Sequence, residues 1–300
     1  MAEVTTVFSE PPKPAKIKKY APWLLSGPGA IFFLTLLGMP LLMTFFLSFY
    51  SFSYSEGIVT TFTSSNYFEV LTDSYFHEIF LRTYGISFAV VILCIAIGVP
   101  EAYILSRMRS PWRSIFLVVT LAPLLISVVV RTLGWVLLIG GNGLLGKTLE
   151  ALGLAESSAG NLMYTHTGVI MALVHVLVPF MVISVWAALQ KLDPAVENAS
   201  LSLGASQSTV FRRIVVPQIL PGVLSGSLIV FALSASAFAT PAIIGGRRLK
   251  VAATAAYDEY LNTMNWPLGA AIAFILLVAN VALVMTYNRI MERRFRRTLG

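Results

Sequence analysis

The stretch Gly141-Asn142-Gly143-Leu144-Leu145-Gly146-Lys147-Thr148 satisfies G-x-x-x-x-G-K-[ST], the spacing with which backbone amides surround phosphates. A working loop of this kind joins a strand to a helix. Here a long apolar run precedes it, and elsewhere there is no apolar strand ending in Asp to complete a nucleotide site. Nucleotide binding in this chain is therefore not expected. His77, His166 and His175 are too scattered for the i, i+4 spacing of a zinc helix, and Cys94 stands alone in an apolar run. A single cysteine also excludes an intrachain disulfide. Two charges deep in apolar surroundings carry more information. Arg131, and Glu101 after Pro100, each cost on the order of a few kcal/mol in a bilayer. Arg131 must face a cavity, a partner or an interface, or the two form a structural pair.

The elements that position these residues follow from composition. Apolar residues make up 57% of the 300 and charged residues 12%, with a mean hydropathy of +0.79, against about 45–50% and about 25% in soluble domains. Soluble and disordered chains are both excluded. A hydrocarbon core of ~30 Å needs about 20 apolar residues per helix. Six stretches qualify: Pro22–Tyr50, Thr83–Leu105, Ser114–Ile139, Thr167–Leu189, Ile219–Ile244 and Pro267–Met291. The expectation is an all-α membrane protein, with a disordered tail over residues 1–21, one six-helix domain over 22–291 and a basic C-terminus over 292–300.

Fifteen of the 21 Lys and Arg fall in the tail, after spans 2 and 4, and at the C-terminus, while Arg247, Arg248 and Lys250 break the pattern. Basic loops stay in the cytoplasm, so both termini are expected there, and the net charge of +7 reads as topology and not as nucleic-acid binding. The same count puts the phosphate-loop lookalike outside the cytoplasm, where ATP is scarce.

The largest segment between spans, residues 190–218, is heavily punctuated. Asp193-Pro194 reads as an N-cap with Pro in the first turn, Gly204 as a turn, and Ser206 or Ser208 as the start of a second short helix ending before Pro217. Gly222 and Gly226 form a G-x-x-x-G that suits close helix packing. Span 5 also carries a run of small residues, Ser234 to Ala237 with Ala239, around Phe238 and Thr240-Pro241.

Glu197-Asn198-Ala199, Gly204-Ala205-Ser206, Ile214 and Pro217 resemble the EAA signature of type I ABC importer permeases. In the register set by Gly204, Asn198 stands where the signature has Glu, and Glu197 lies one residue early. Asn66-Tyr67, Arg131-Thr132 with Trp135, Gly141 to Leu144, Ala239-Thr240-Pro241 and Trp266-Pro267 are similar to the polyamine-type branch of that family. The resemblance implies the type I permease fold in a bacterial inner membrane. It also implies a cytoplasmic ABC ATPase dimer that binds ATP and Mg, a second permease subunit and a periplasmic binding protein, with no cofactor or enzymatic activity in this chain.

It places ATPase coupling at Glu197, Asn198, Ala199, Gly204, Ala205, Ser206, Arg212 and Pro217. Arg131, Trp135, Ser236, Phe238, Thr240 and Trp266 are the candidates for the translocation path. The expected cargo is a small charged solute, either a polyamine or an opine-like or aminophosphonate-like compound. The other reading is a stand-alone secondary carrier or channel, which would more often show an inverted repeat and intramembrane acidic ion sites.

Overall fold

The computed structural model describes residues 21–154 and 160–299; most of the expected tail, residues 1–20, lies outside them. Residues 1–46 and 47–300 are separate units. Within the first, α1 (Ala21–Leu47) exposes Phe32, Leu34, Leu37 and Met43 alike. A helix apolar all round is the form a lipid-facing span takes.

The second unit begins with a hairpin, β1 (Tyr50–Ser53) and β2 (Gly57–Phe62), paired antiparallel. Then come α2 (Ser65–Thr72), α3 (Ser74–Arg107), α4 (Trp112–Leu125), α5 (Val128–Ile139), α6 (Leu144–Ala151) and α7 (His166–Leu189). After them run α8 (Pro194–Ser202), α9 (Gln207–Val210), α10 (Val216–Ala235), α11 (Ala252–Leu261) and α12 (Trp266–Leu299). Among the described residues, six helical stretches are long and apolar enough to cross a membrane.

The core is built on α7. Leu173, Leu177, Met181, Val182 and Val185 are buried between α3, which brings Val90 and Cys94, and α10, which brings Ile219, Val230 and Phe231. Gly222 permits this approach: a Cβ there would stand 2.7 Å from both the Ala188 Cβ and the Ser184 carbonyl oxygen. Helix packing is thus what the G-x-x-x-G does. A second cluster, with Phe76, Ile79, Ala252, Leu268 and Ile272, ties the start of α3 to α11 and α12. The two ends of the bundle are therefore distinct. One carries α2 and α11, and the other carries α8, α9 and the end of α3.

The structure corrects four expectations. The chain is not wholly helical: span 1 stops at Leu47, and the residues after it form the hairpin, which Asn66 fastens by donating 2.9 Å hydrogen bonds to the Ser48 and Tyr50 carbonyls. Span 3 is not one helix over Ser114–Ile139. It breaks at Ile126-Ser127, both extended in ψ, into α4 and α5, and Pro123 leaves the last turn of α4 one backbone hydrogen bond short. Span 2 is longer than Thr83–Leu105, running from Ser74 to Arg107. Span 5 does not reach Ile244. α10 ends at Ala235, where the Ser236 hydroxyl bonds back to the Ala232 carbonyl at 2.7 Å, and Pro241–Gly245 forms a separate π-helical turn.

The phosphate-loop lookalike runs from the turn after α5 into the first half of α6, with a helix where the strand would be needed. Among the described residues no group of His, Cys, Asp or Glu could hold a metal ion.

Candidate functional site

The segment between α7 and α10 is shaped by its own side chains. Asp193 Oδ1 accepts from the Ala195 amide at 2.9 Å, satisfying an otherwise orphaned donor at the start of α8, with Pro194 at the first position. The turn after α8 falls on Gly204 at φ 86°, where a residue with a Cβ is strained. Ser206 Oγ accepts from the Thr209 amide at 3.3 Å and opens α9.

The second short helix does not end before Pro217, however. α9 runs through a π-helical turn, Phe211–Val215, straight into α10, with the Val216 amide bonded to the Phe211 carbonyl. Pro217 lacks an amide and would press its ring on a carbonyl of the preceding turn; the wider π turn just before it accommodates both.

The segment stands on a buried base formed by Leu192, Val210 and Val215. Its outer surface is exposed at Asn198, Ala199, Gly204, Ser206, Arg212, Arg213 and Pro217, and Ala205 is half-buried. At the tip Leu203 is 89% exposed, flanked by the exposed Val196 and Leu201. An exposed apolar tip, with two exposed arginines further along the same segment, is chemistry for a partner groove that carries acidic groups. Glu197 alone turns inward. It is 6% exposed and accepts a hydrogen bond from Arg107 Nη2 at the end of α3. Nothing in the local sequence marks Arg107, which lies 90 residues away.

The candidate path residues make the following contacts. Trp135 donates from Nε1 to His175 Nδ1 at 3.3 Å and lines a cavity of about 630 Å³ between α3, α4, α5 and α7. Glu101 lines it too, accepting from the Thr120 hydroxyl. Thr240 is buried, 3.3 Å from the Thr132 hydroxyl. Phe238 meets Tyr257 at a tilt, 4.6 Å between ring centres, and Trp266 stacks on Tyr260 at 5.7 Å, both against α11. Ser236 is spent on its own helix.

Arg131 and Glu101 do not pair. Arg131 Nη1 instead donates to the carbonyls of Pro123 and Ile126, the latter at 3.4 Å. The guanidinium thus caps the C-terminus of α4, where a cation also meets the negative end of the helix dipole. It mends the break between α4 and α5, and that accounts for a charge at this depth.

At the opposite end, Lys250 Nζ pairs with Asp258 at 2.8 Å. Partial desolvation lowers the Lys250 pKa, but hydrogen bonds and charge from Asp258 and Tyr75 outweigh it and the net shift is upward. Of the basic cluster after span 5, this leaves Arg247 and Arg248 exposed, with Arg248 over the Tyr164 ring at 5.8 Å.

Comparison with known proteins agrees with this layout. The chain is 28% identical over 251 residues to the spermidine/putrescine transport system permease protein PotB of Escherichia coli K12, covering 84% of this chain and 90% of that protein. PotB of Haemophilus influenzae is 27% identical, covering 85% and 90%. The molybdenum transport system permease protein ModB of Mycobacterium tuberculosis is 32% identical over 197 residues, covering 66% of this chain and 72% of ModB.

Among solved structures, a bacterial ABC transporter that imports the acidic polysaccharide alginate superposes with a TM-score of 0.75 at 18% identity, covering 90% of this chain and 96% of that one. The MetNI methionine transporter superposes with a TM-score of 0.56 at 15% identity, covering 74% and 99%. These similarities establish the fold. Residues 94–297 match the model of the binding-protein-dependent transport system inner membrane component, and the chain belongs to that family, the multi-pass permeases of type I ABC importers.

Proposed function

We propose that this chain is one permease subunit of an ATP-driven importer in a bacterial inner membrane, with both termini in the cytoplasm. A cytoplasmic ABC ATPase dimer docks on α8 and α9 and hydrolyses ATP, a second, homologous permease completes the pathway, and a periplasmic binding protein delivers the solute. Alternating access follows when movement of the ATPases displaces α8. The observation that carries this reading is the α8–α9 segment itself, capped at both helix starts and bearing an exposed apolar tip at Leu203.

The cargo is a small charged organic solute, of the polyamine class or an opine-like or aminophosphonate-like class. The similarity to PotB favours the first. The exposed Arg247 and Arg248 favour an anionic or zwitterionic solute. Calorimetry on the cognate binding protein separates them: putrescine or spermidine binding alone establishes the first, and response only to amino-acid-like or phosphonate ligands the second.

The transport reading is tested by reconstituting the chain with its ATPase, second permease and binding protein in liposomes. ATP-dependent uptake is expected. Gly204→Asp, which forces a charged side chain into the positive-φ turn, is expected to abolish uptake and co-purification of the ATPase. Uptake by this chain alone, without an ATPase, would instead establish a stand-alone carrier.

A further inference from the structure

We infer that Arg107 is a positioning residue that clamps the coupling segment onto α3, so that α3 moves with α8 as one body. The inference rests on the permease reading above. By its covalent connections α8 is attached only to α7, through the short turn after Leu189, and to α9 through the Gly204 turn. Both reach α3 only indirectly, through the packing of α7 and α10 upon it. A lateral tie reaches it directly. Glu197, in the first turn of α8, is buried, and a buried carboxylate requires a cation and hydrogen bonds to offset its desolvation. Arg107 Nη2 supplies both. The Arg107 guanidinium lies over the Tyr103 ring at 5.2 Å, and the Tyr103 ring meets Phe211 edge-on at 5.0 Å.

Four side chains from α3, α8 and the π-helical turn thus form one strut. Its far end is the cavity wall: Glu101 lies six residues before Arg107 on α3, about 9 Å along the axis at 1.5 Å per residue, and Ile97 and Leu93 continue that wall. A displacement of α8 is delivered through the strut to the cavity without passing along the chain. Adjacent Asn198 is exposed, so Glu197 serves the subunit's own interior while its neutral neighbour faces outward.

The test uses the assembled transporter with Arg107→Gln, Glu197→Gln, Arg107→Lys, and the exchanged pair Arg107→Glu with Glu197→Arg. ATP hydrolysis, uptake and ATPase co-purification are measured on each. Arg107→Gln is expected to keep co-purification and ATP hydrolysis but to lose uptake per ATP by roughly tenfold, within the coupling range of residues in direct contact, and Glu197→Gln to lose uptake per ATP to the same degree. Arg107→Lys, which keeps the charge without the planar fork, is expected to fall between, and the exchanged pair to recover most of the loss. Unchanged uptake per ATP in the Gln variants, or a loss that the exchange does not recover, overturns the strut alone. A wild-type complex without ATP-driven uptake overturns the permease reading and the strut together.

Discussion

Replacing Gly222 by Ala probes the close approach of α10 to α7 in the main core. The new Cβ would stand 2.7 Å from the Ala188 Cβ, 2.7 Å from the Ser184 carbonyl oxygen and 3.2 Å from the Val185 Cα, whereas relaxed carbon contacts are about 3.5–4.0 Å. Two of these three neighbours are backbone atoms of α7 and have no rotamer to change. The helices must part by about 1 Å, and Gly226, whose Cβ position lies 2.9 Å from the Met181 Sδ, sits on the same seam.

Overpacking of this kind costs about 1–3 kcal/mol. At roughly 2–4 °C per kcal/mol for domains of 150–250 residues, the midpoint of thermal unfolding in detergent should fall by about 2–12 °C. The double variant Gly222→Ala with Ala188→Gly removes one of the two closest contacts and leaves the carbonyl, so it should recover only part of the loss. Gly134→Ala is the control: it meets nothing within 4 Å inside α5 and should be neutral or stabilising by up to ~1 kcal/mol. An unchanged midpoint for Gly222→Ala, or full recovery in the double variant, would refute the reasoning.

Two further outcomes follow from the polar contacts. Arg131→Met leaves the Pro123 and Ile126 carbonyls without their donor and should cost about 1–3 kcal/mol, read as a lower unfolding midpoint; if Arg131→Met melts with the wild type, the capping role is wrong. Glu69, on α2, has its pKa raised above the ordinary 4.5 by partial desolvation and by the nearby charges of Glu259 and Asp73. Its charged form therefore opposes folding, and the penalty is absent below pH 4.5 and grows as pH rises through the folded-state value. Glu69→Gln should accordingly raise the unfolding midpoint at pH 7 and leave it unchanged near pH 4, and a gain of equal size at both would exclude the electrostatic cause.

What the sequence could and could not disclose divides by the range of the interaction. The caps at Asp193 and Ser206 and the turn at Gly204 are local chemistry between residues two or three apart, and they are legible because a short oxygen side chain or a missing Cβ has few other uses. The hairpin was legible too, in the alternation of aromatic and serine residues from Tyr50 to Ser55, but a window that averages hydropathy cannot register a period of two. The break between α4 and α5 is different in kind. Pro123 occurs in an apolar run that reads as continuous, and the acceptors that explain Arg131 are backbone carbonyls, which no residue type announces.

Charge in a span therefore has two explanations that the sequence cannot separate: a ligand, or a defect in the backbone that the charge repairs. The carbonyls that Arg131 Nη1 meets fit the second. Glu101 lines a cavity, where its carboxylate accepts from the Thr120 hydroxyl. The same limit applies to Glu197 and Asn198. They are neighbours on α8, yet Glu197 is buried against Arg107 and Asn198 is exposed, so a one-residue offset that looks slight in a motif decides whether an acid is held inside the subunit or lies on its surface.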